Sequence, residues 1–471
     1  MKKFDLIVIG AGSGLDVAAA AANRDMNVAV VDDGPLGGTC LNRGCIPSKM
    51  LLHRADVAAA IRNAEQFGID ASIDDVDFAG MIREINESVA EDSDGIERGI
   101  EASDQHTLYR TRAQFVDERT LDVGENTIRG ERIVIAAGTR PAVPSIDSLD
   151  GVDYWTSTDA LNPETHPDHL VIVGGGYIAA ELAHFYGTFG SEVIIIGQRK
   201  VLLPDHEPDI SARYAEIDEE ISAAFTDSYA ERYDVHTGYE ATAVSENGEA
   251  VTVHAVGPNG DDIMVSGDQL LLAAGRRPNS DTMDLDTAGV ATDGRGFIET
   301  NKYLETTAEN VWALGDITGN YLFKHAANHD ASYVVTNALG DAEHRHAVDY
   351  TAMPYSVFAS PQVAGVGQTE QELRAGDMEY AVGTYSYSDT AMGSALKEEN
   401  GFVKVLADPQ NGAILGCHII GPHASMLIQE VVVAMTSEPG TVGDIRNAIH
   451  VHPALSEVVH RAFSGHFHIP E

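Results

Sequence analysis

Residues 4–32 read FDLIVIGAGSGLDVAAAAANRDMNVAVVD. The apolar run at 4–9 predicts a buried strand, and Gly10-Ala11-Gly12-Ser13-Gly14 a tight turn. The alanine-rich stretch to Asn23 predicts a helix, and residues 28–31 a second strand. Strand, glycine turn, helix and strand in this order form a dinucleotide-type unit. Gly10 allows the sharp bend, and Gly12 lets a pyrophosphate approach the backbone at a helix N-terminus. Asp32, at the end of the second strand, stands where a carboxylate accepts hydrogen bonds from a ribose. Leu15 occupies the third glycine position of the pattern, which predicts a slightly wider helix–strand spacing there.

A second copy begins near residue 170. A strand at 170–173 runs into Gly174-Gly175-Gly176-Tyr177-Ile178-Ala179, a helix to about 189 and a strand at 192–196. Its ribose position differs from the first. Gly197 replaces the expected acid, and Arg199 and Lys200 follow directly. A missing carboxylate plus two cations favours a 2′-phosphate, hence NADPH over NADH. The plainer alternative is two solvated surface charges. Against it, the chain has only 30 Lys+Arg beside 73 Asp+Glu, so adjacent cations are scarce.

Two such units imply two nucleotide-bearing ligands. Between them, residues 141–169 are rich in Pro, Asp, Ser and Thr and mark a boundary. From about residue 352 the texture changes to short β-rich runs (356–359, 402–406, 413–420). An apolar helix at 426–435 and a histidine-rich stretch at 450–460 follow. The fold class expected is α/β, with two Rossmann-like dinucleotide-binding domains and a C-terminal α+β domain. The expected segments are 1–145, 146–275, 276–347 and 348–471.

The 471 residues exceed what one core organises, and about two to four domains are expected. The formal charge of −43 opposes compaction in dilute buffer. At roughly 1 M salt the Debye length is about 3 Å, and most of that repulsion is screened. The acidity reads as adaptation to a salt-rich cytoplasm. The acids are spread along the chain rather than blocked, which argues against an acidic tail for basic partners. The net charge of −43 also disfavours nucleic acid and anionic membranes as partners.

The apolar run at 6–9 is too short for a secretory core and enters the glycine turn at once. No stretch approaches the ~20 apolar residues of a membrane span. A cytoplasmic location is expected.

Only three cysteines occur: Cys40, Cys45 and Cys417. They cannot form a disulfide framework for a chain this long, so a close pair reads as catalytic or metal-binding. The pair lies in Gly37-Gly38-Thr39-Cys40-Leu41-Asn42-Arg43-Gly44-Cys45-Ile46-Pro47-Ser48-Lys49. This spacing can close a small loop at the start of a helix, where the dipole and Lys49 favour thiolate. A zinc site would need two more soft ligands; Cys417 stands alone and no C-x-x-C occurs.

Residues 37–49 resemble the redox-active segment of the class I pyridine nucleotide–disulfide oxidoreductases. That family includes glutathione reductase, mycothione reductase, dihydrolipoamide dehydrogenase and mercuric reductase. Further similar signatures follow in order: Ala136-Ala137-Gly138, Gly275-Arg276-Arg277-Pro278-Asn279, Gly315-Asp316 and His450-Val451-His452-Pro453-Ala454-Leu455-Ser456-Glu457.

The resemblance implies FAD in the first unit, which residues 276–347 complete, and NADPH in the second. It implies that Cys45 contacts the flavin and that Cys40 attacks the substrate disulfide. Asp316 would hydrogen-bond the ribityl chain, and the backbone around Ala326 would meet the flavin pyrimidine edge. Lys49 and Glu181 would pair beside flavin N5, Tyr177 would cover the nicotinamide pocket, and Arg276 would lie on the NADPH side.

His452 is the expected acid–base catalyst, because exchange needs a proton for the leaving thiolate. Among 19 histidines it stands out through Pro453 and Glu457, which would orient its ring. The resemblance places this segment in the active site of a second subunit, implying a homodimer.

The tail at 463–471 carries no cysteine pair, which disfavours mercuric reduction. Both redox cysteines are present, which disfavours a soluble transhydrogenase. The second glycine motif and the His-Pro-Ala-Leu-Ser-Glu ending look most like mycothione reductase. The expected activity is NADPH-linked reduction of a small thiol disulfide such as bis-γ-glutamylcystine. Dihydrolipoamide dehydrogenase is the runner-up, although its usual acidic NAD marker is missing. A flavoprotein scaffold without turnover is the reading from another class.

Overall fold

The protein's structure, a computed structural model, describes residues 1–203, 217–248 and 250–470. Strand Lys2–Ile9 is the centre of the first sheet. On one side Val28–Val31 and then His106–Tyr109 pair with it in parallel. On the other side it runs parallel to Asn126–Ile135, whose end also takes Val311–Ala313. The start of Asn126–Ile135 turns antiparallel against Thr120–Val123, and Ala113–Asp117 follows.

The central strands are apolar at nearly every position because both faces are covered. Leu6 and Val8 pack on the helix Gly14–Ala22, while Ile7 and Ile9 pack with Phe115 and Ile317. The period of two along the strand divides these side chains between the two layers.

The second unit repeats this arrangement. Its parallel sheet runs in the order Asp234–Thr237, Glu192–Gly197, His169–Val173, Gln269–Leu272. An antiparallel meander, Glu240–Asn247, Ala250–Val256 and Asp262–Gly267, lies beside it. The polar stretch after residue 141 docks on this unit through bridges from Asp147 to Ala243 and from Trp155 to Leu271. The chain leaves and re-enters the first unit at one place, where Thr139–Pro141 pairs antiparallel with Arg276–Pro278.

The C-terminal sheet is antiparallel, in the order Pro354–Val357, Val363–Gly367, Ile414–Ile420, Phe402–Ala407, Ala381–Ser386. Helices Ala424–Thr436 and Ser456–Ser464 pack on it. Strands Val363–Gly367 and Ala381–Ser386 do not stand out in the sequence. Gly365, Gly367 and Gly383 interrupt their apolar pattern, and pairing with neighbours decides them.

The two nucleotide turns share one steric device. Gly10 has φ +100° and Gly174 has φ +137°. A Cβ on either would lie 2.3 Å from a backbone carbonyl, that of Ala136 or of Ala273. The wider spacing expected at Leu15 is corrected in one respect. Gly14, one residue earlier, makes the close helix–strand contact: a Cβ there would lie 2.7 Å from Val8 Cγ1 and 2.9 Å from Ala136 Cβ.

The cysteines flank the start of a helix. Cys40 lies within a helical turn, Gly38–Arg43, and Cys45 is the first residue of the helix Cys45–Arg62. The break falls at Gly44, where a Cβ would lie 2.8 Å from the Thr39 carbonyl.

Candidate active site

A cavity of about 1800 Å³ opens where the glycine turn, the cysteine helices, the second unit and the C-terminal sheet meet. Gly10, Gly12, Asp32, Cys40, Cys45, Lys49, Gly138, Tyr177, Glu181, Arg276 and Asp316 all line it. Of the sequence-predicted residues of the first unit, Gly14 and Ala326 are not part of this lining.

Cys40 and Cys45 stand as thiols, both partly buried. Cys45 S–H donates to Cys40, which brings the Cys40 thiol down to about 7; burial opposes this, and Lys324 and Lys49 assist it. The same hydrogen bond, together with burial, pushes Cys45 well up. The two thiols are thus shifted in opposite directions, Cys40 down and Cys45 up. At Cys45 the donor role and burial oppose the effect of Lys49.

Lys49 Nζ lies 2.7 Å from Glu181 Oε2 and 4.6 Å from the Phe358 ring centre. Phe358 N–H donates to Glu181 Oε1 at 3.0 Å. The expected pair therefore forms, with an aromatic partner that sequence spacing does not show. Tyr177, the first residue of the helix Tyr177–Phe189, has its ring 6.3 Å from that of Phe323.

Asp32 accepts from Ala11 N–H at 2.6 Å and from Gly34 N–H at 2.7 Å; burial outweighs these bonds and raises its carboxyl. Asp316 accepts from the Thr139 hydroxyl at 3.0 Å, and burial raises it too. Arg276 Nε donates to Thr139 Oγ1 at 2.7 Å, so its charge faces the Asp316 side of the cavity. Thr139 links these two residues, yet a lone threonine beside Gly138 carries no sequence signal of its own.

The fit to a flavin dinucleotide rests on this cradle. Gly12 and Gly38 approach so closely that a Cβ on Gly38 would lie 2.7 Å from Gly12 Cα. Bare backbone therefore lines the phosphate turn. Ala326 is buried in the first turn of the helix Lys324–Leu339, whose N-terminus faces the cavity.

In the second unit Gly176 precedes the helix with open space at its Cα. Gly275, at φ +107°, also faces open space. Arg199 and Lys200 follow the strand Glu192–Gly197; Arg199 is half-buried and Lys200 exposed.

His452 does not line the cavity of its own chain. Its side chain is 73% exposed, and Nδ1 lies 3.0 Å from both Glu457 oxygens. Glu457 also accepts from Ala454 N–H at 3.3 Å, and the imidazole beside it holds its carboxyl below the ordinary range. His450 is turned away, bonded to Glu430 at 2.9 Å and stacked on His460. Exposed Ile449 and Val451 flank this segment.

Among the described residues no helix is long and apolar enough to cross a membrane.

Residues 4–338 match the family model described as pyridine nucleotide-disulphide oxidoreductase. Residues 353–463 match the dimerisation domain of the same family. A mycothione reductase from Mycobacterium tuberculosis is 35% identical over 99% of this chain and 100% of its own. A dihydrolipoyl dehydrogenase from Haloarcula marismortui is 34% identical over 97% of this chain and 95% of its own. The solved Cu(II) complex of a HOCl-induced flavoprotein disulfide reductase from Escherichia coli superposes with a TM-score of 0.86. It is 28% identical and covers 98% of this chain and 99% of its own. A redox dithiol in a dinucleotide cradle, matched along nearly the whole chain, makes this protein a member of the pyridine nucleotide–disulfide oxidoreductases, FAD-dependent enzymes that use NAD(P)H.

Proposed function

We propose that the protein uses NADPH to reduce the disulfide of a low-molecular-weight thiol, such as bis-γ-glutamylcystine. The observation that carries this reading is the cysteine pair set on the wall of the cavity beside Lys49 and the glycine turn. Cys40 is the more acidic thiol and lines the open cavity, as an attacking thiolate requires.

Cys40 attacks one sulfur of the substrate, the substrate S–S bond breaks, and one thiolate leaves. His452 of a second copy, held by Glu457, gives that thiolate its proton. Cys45 then loses its proton, attacks Cys40 sulfur and releases the second thiol. The Cys40–Cys45 disulfide is left. FAD, when bound, supplies the two-electron relay that returns this disulfide to the dithiol. Lys49 and Glu181, paired to each other, would stand beside it. The balance is one disulfide, one NADPH and one proton in, two thiols and NADP⁺ out.

The same reading assigns 1–145 and 276–347 to FAD, 146–275 to NADPH and 348–471 to the homodimer contact. Gly197 in place of an acid, with Arg199 and Lys200 beyond it, supports NADPH. The acidic surface supports a salt-rich cytoplasm as its setting.

Likeness to haloarchaeal dihydrolipoyl dehydrogenases favours a second reading, NAD-linked oxidation of dihydrolipoamide. The test is a paired assay in molar salt: NADPH with bis-γ-glutamylcystine against NAD⁺ with dihydrolipoamide. Faster turnover of the second pair would overturn the first reading. A scaffold would show no bleaching with NADPH.

A further inference from the structure

The ion pair of Lys49 and Glu181 is closed by a residue from the C-terminal unit. Phe358 directly follows the strand Pro354–Val357. Its N–H donates to Glu181 Oε1 at 3.0 Å, and its ring centre lies 4.6 Å from Lys49 Nζ. One residue thus holds both members of the pair, the carboxylate by its backbone and the ammonium by its ring.

The backbone at Phe358 is anchored on both sides. Val357 and Ala359 are buried in a core that also takes Leu51 from the Cys45 helix and Leu182 and Phe185 from the Glu181 helix. Two residues on, the Ser360 carbonyl accepts from Arg232 of the second unit. That guanidinium lies 5.0 Å from the ring centre of Tyr229 and 5.1 Å from that of Tyr233. Lys49, Glu181 and Phe358, one from each unit of the chain, line the same cavity.

Hydride transfer to a flavin adds negative charge to its ring system, and a fixed cation nearby stabilises that charge. The cation must keep its place to do so. The Lys49 side chain is 35% exposed, and a lysine exposed to this degree is held only weakly by a single carboxylate. An aromatic face supplies the second restraint.

We infer that Phe358 is a positioning residue for the flavin step: its ring holds the Lys49 ammonium, and its N–H holds the Glu181 carboxylate. This rests on the reading that sets the pair beside FAD, and it is independent of which disulfide Cys40 attacks.

The test is a double-mutant cycle on the holoenzyme at one salt concentration. It compares wild type, Phe358→Leu, Lys49→Met and the double variant, with Phe358→Tyr as the conservative replacement. Leucine keeps the N–H and the apolar bulk but removes the ring face. Stopped flow reads the limiting rate of flavin bleaching by NADPH, and redox titration reads the midpoint potential of the bound flavin. Phe358→Leu should slow bleaching roughly threefold to tenfold and make the potential more negative. Phe358→Tyr should keep both near wild type. Once Lys49→Met is present, Phe358→Leu should change neither any further.

Equal effects of Phe358→Leu with and without Lys49 would mean that the ring merely packs, and the inference would fall. An unchanged potential in Phe358→Leu would overturn it too. Where the Lys49→Met variants do not yield holoenzyme, leucine against tyrosine at 358 decides: a tyrosine variant as slow as the leucine one overturns it. Failure of the underlying reading looks different. Lys49→Met itself would then leave bleaching and potential unchanged, which would remove the pair from beside the flavin and the inference with it.

Discussion

Lys49 Nζ sits 2.7 Å from Glu181 Oε2 and 2.8 Å from Oε1, so one ion pair ties the helix that carries Cys45 to the helix that opens the second nucleotide unit. Only 7% of the Glu181 side chain is exposed. Lys49→Met leaves that carboxylate with the Phe358 N–H alone and should cost about 3 kcal/mol. The double variant Lys49→Met/Glu181→Leu should recover most of the loss, because no charge is then stranded. Urea unfolding at fixed salt measures both; a double variant as unstable as the single one would show that packing, not the stranded charge, sets the cost.

The Cys40 thiol is held down first by the hydrogen bond from Cys45. Cys45→Ala should therefore move the midpoint of Cys40 alkylation above about 7. Iodoacetamide labelling across pH, followed by mass spectrometry of the reduced protein, reads this. An unmoved midpoint would assign the effect to Lys324 and Lys49 alone.

Arg199→Ala should raise KM for NADPH about tenfold and change KM for NADH much less, since only the former carries a 2′-phosphate. Equal changes would make Arg199 an ordinary surface charge.

Lys404 is enclosed by Asp218 at 2.8 Å, Glu370 at 2.6 Å and Glu220 at 3.1 Å. Burial pushes Asp218 up, but nearby His418 and Lys404 outweigh it and hold the carboxyl below its ordinary value. A folded-state value below the unfolded one contributes stability that is complete above the unfolded value. That contribution is lost as pH falls through the folded one. Buried His418 is shifted down as well, so the unfolded chain takes up its proton first, from about pH 6.5 downward. Both groups act in the same direction. The thermal midpoint should decline below about pH 6.5 and drop further in the carboxylate range. In Asp218→Asn the second, more acid part of that decline should shrink.

Glu457→Gln keeps the shape of the His452 partner but removes its charge. Disulfide reduction should fall about tenfold or more, while the first half-reaction with NADPH is spared. Stopped-flow flavin bleaching separates the two. Slowed bleaching would place the pair's role elsewhere.

The family, the cysteine pair and both glycine turns were legible along the chain, because each depends on local chemistry. Gly10 and Gly174 answer to backbone clashes with Ala136 and Ala273, and the cysteines are set by a few residues of spacing. Val28–Val31 coincides with its predicted run because a fully buried parallel strand is apolar throughout.

Other features depended on elements far apart in sequence. Nothing near Lys49 announces Phe358, and nothing near Asp316 announces Thr139 or its link to Arg276. Nor does the spacing show that the hydrogen bond from Cys45, together with burial, raises its own thiol while the same bond lowers that of Cys40. Local sterics and helix or strand periodicity are thus carried by the sequence alone. Charge balance inside a cavity is decided only when the tertiary structure removes water and brings distant groups together.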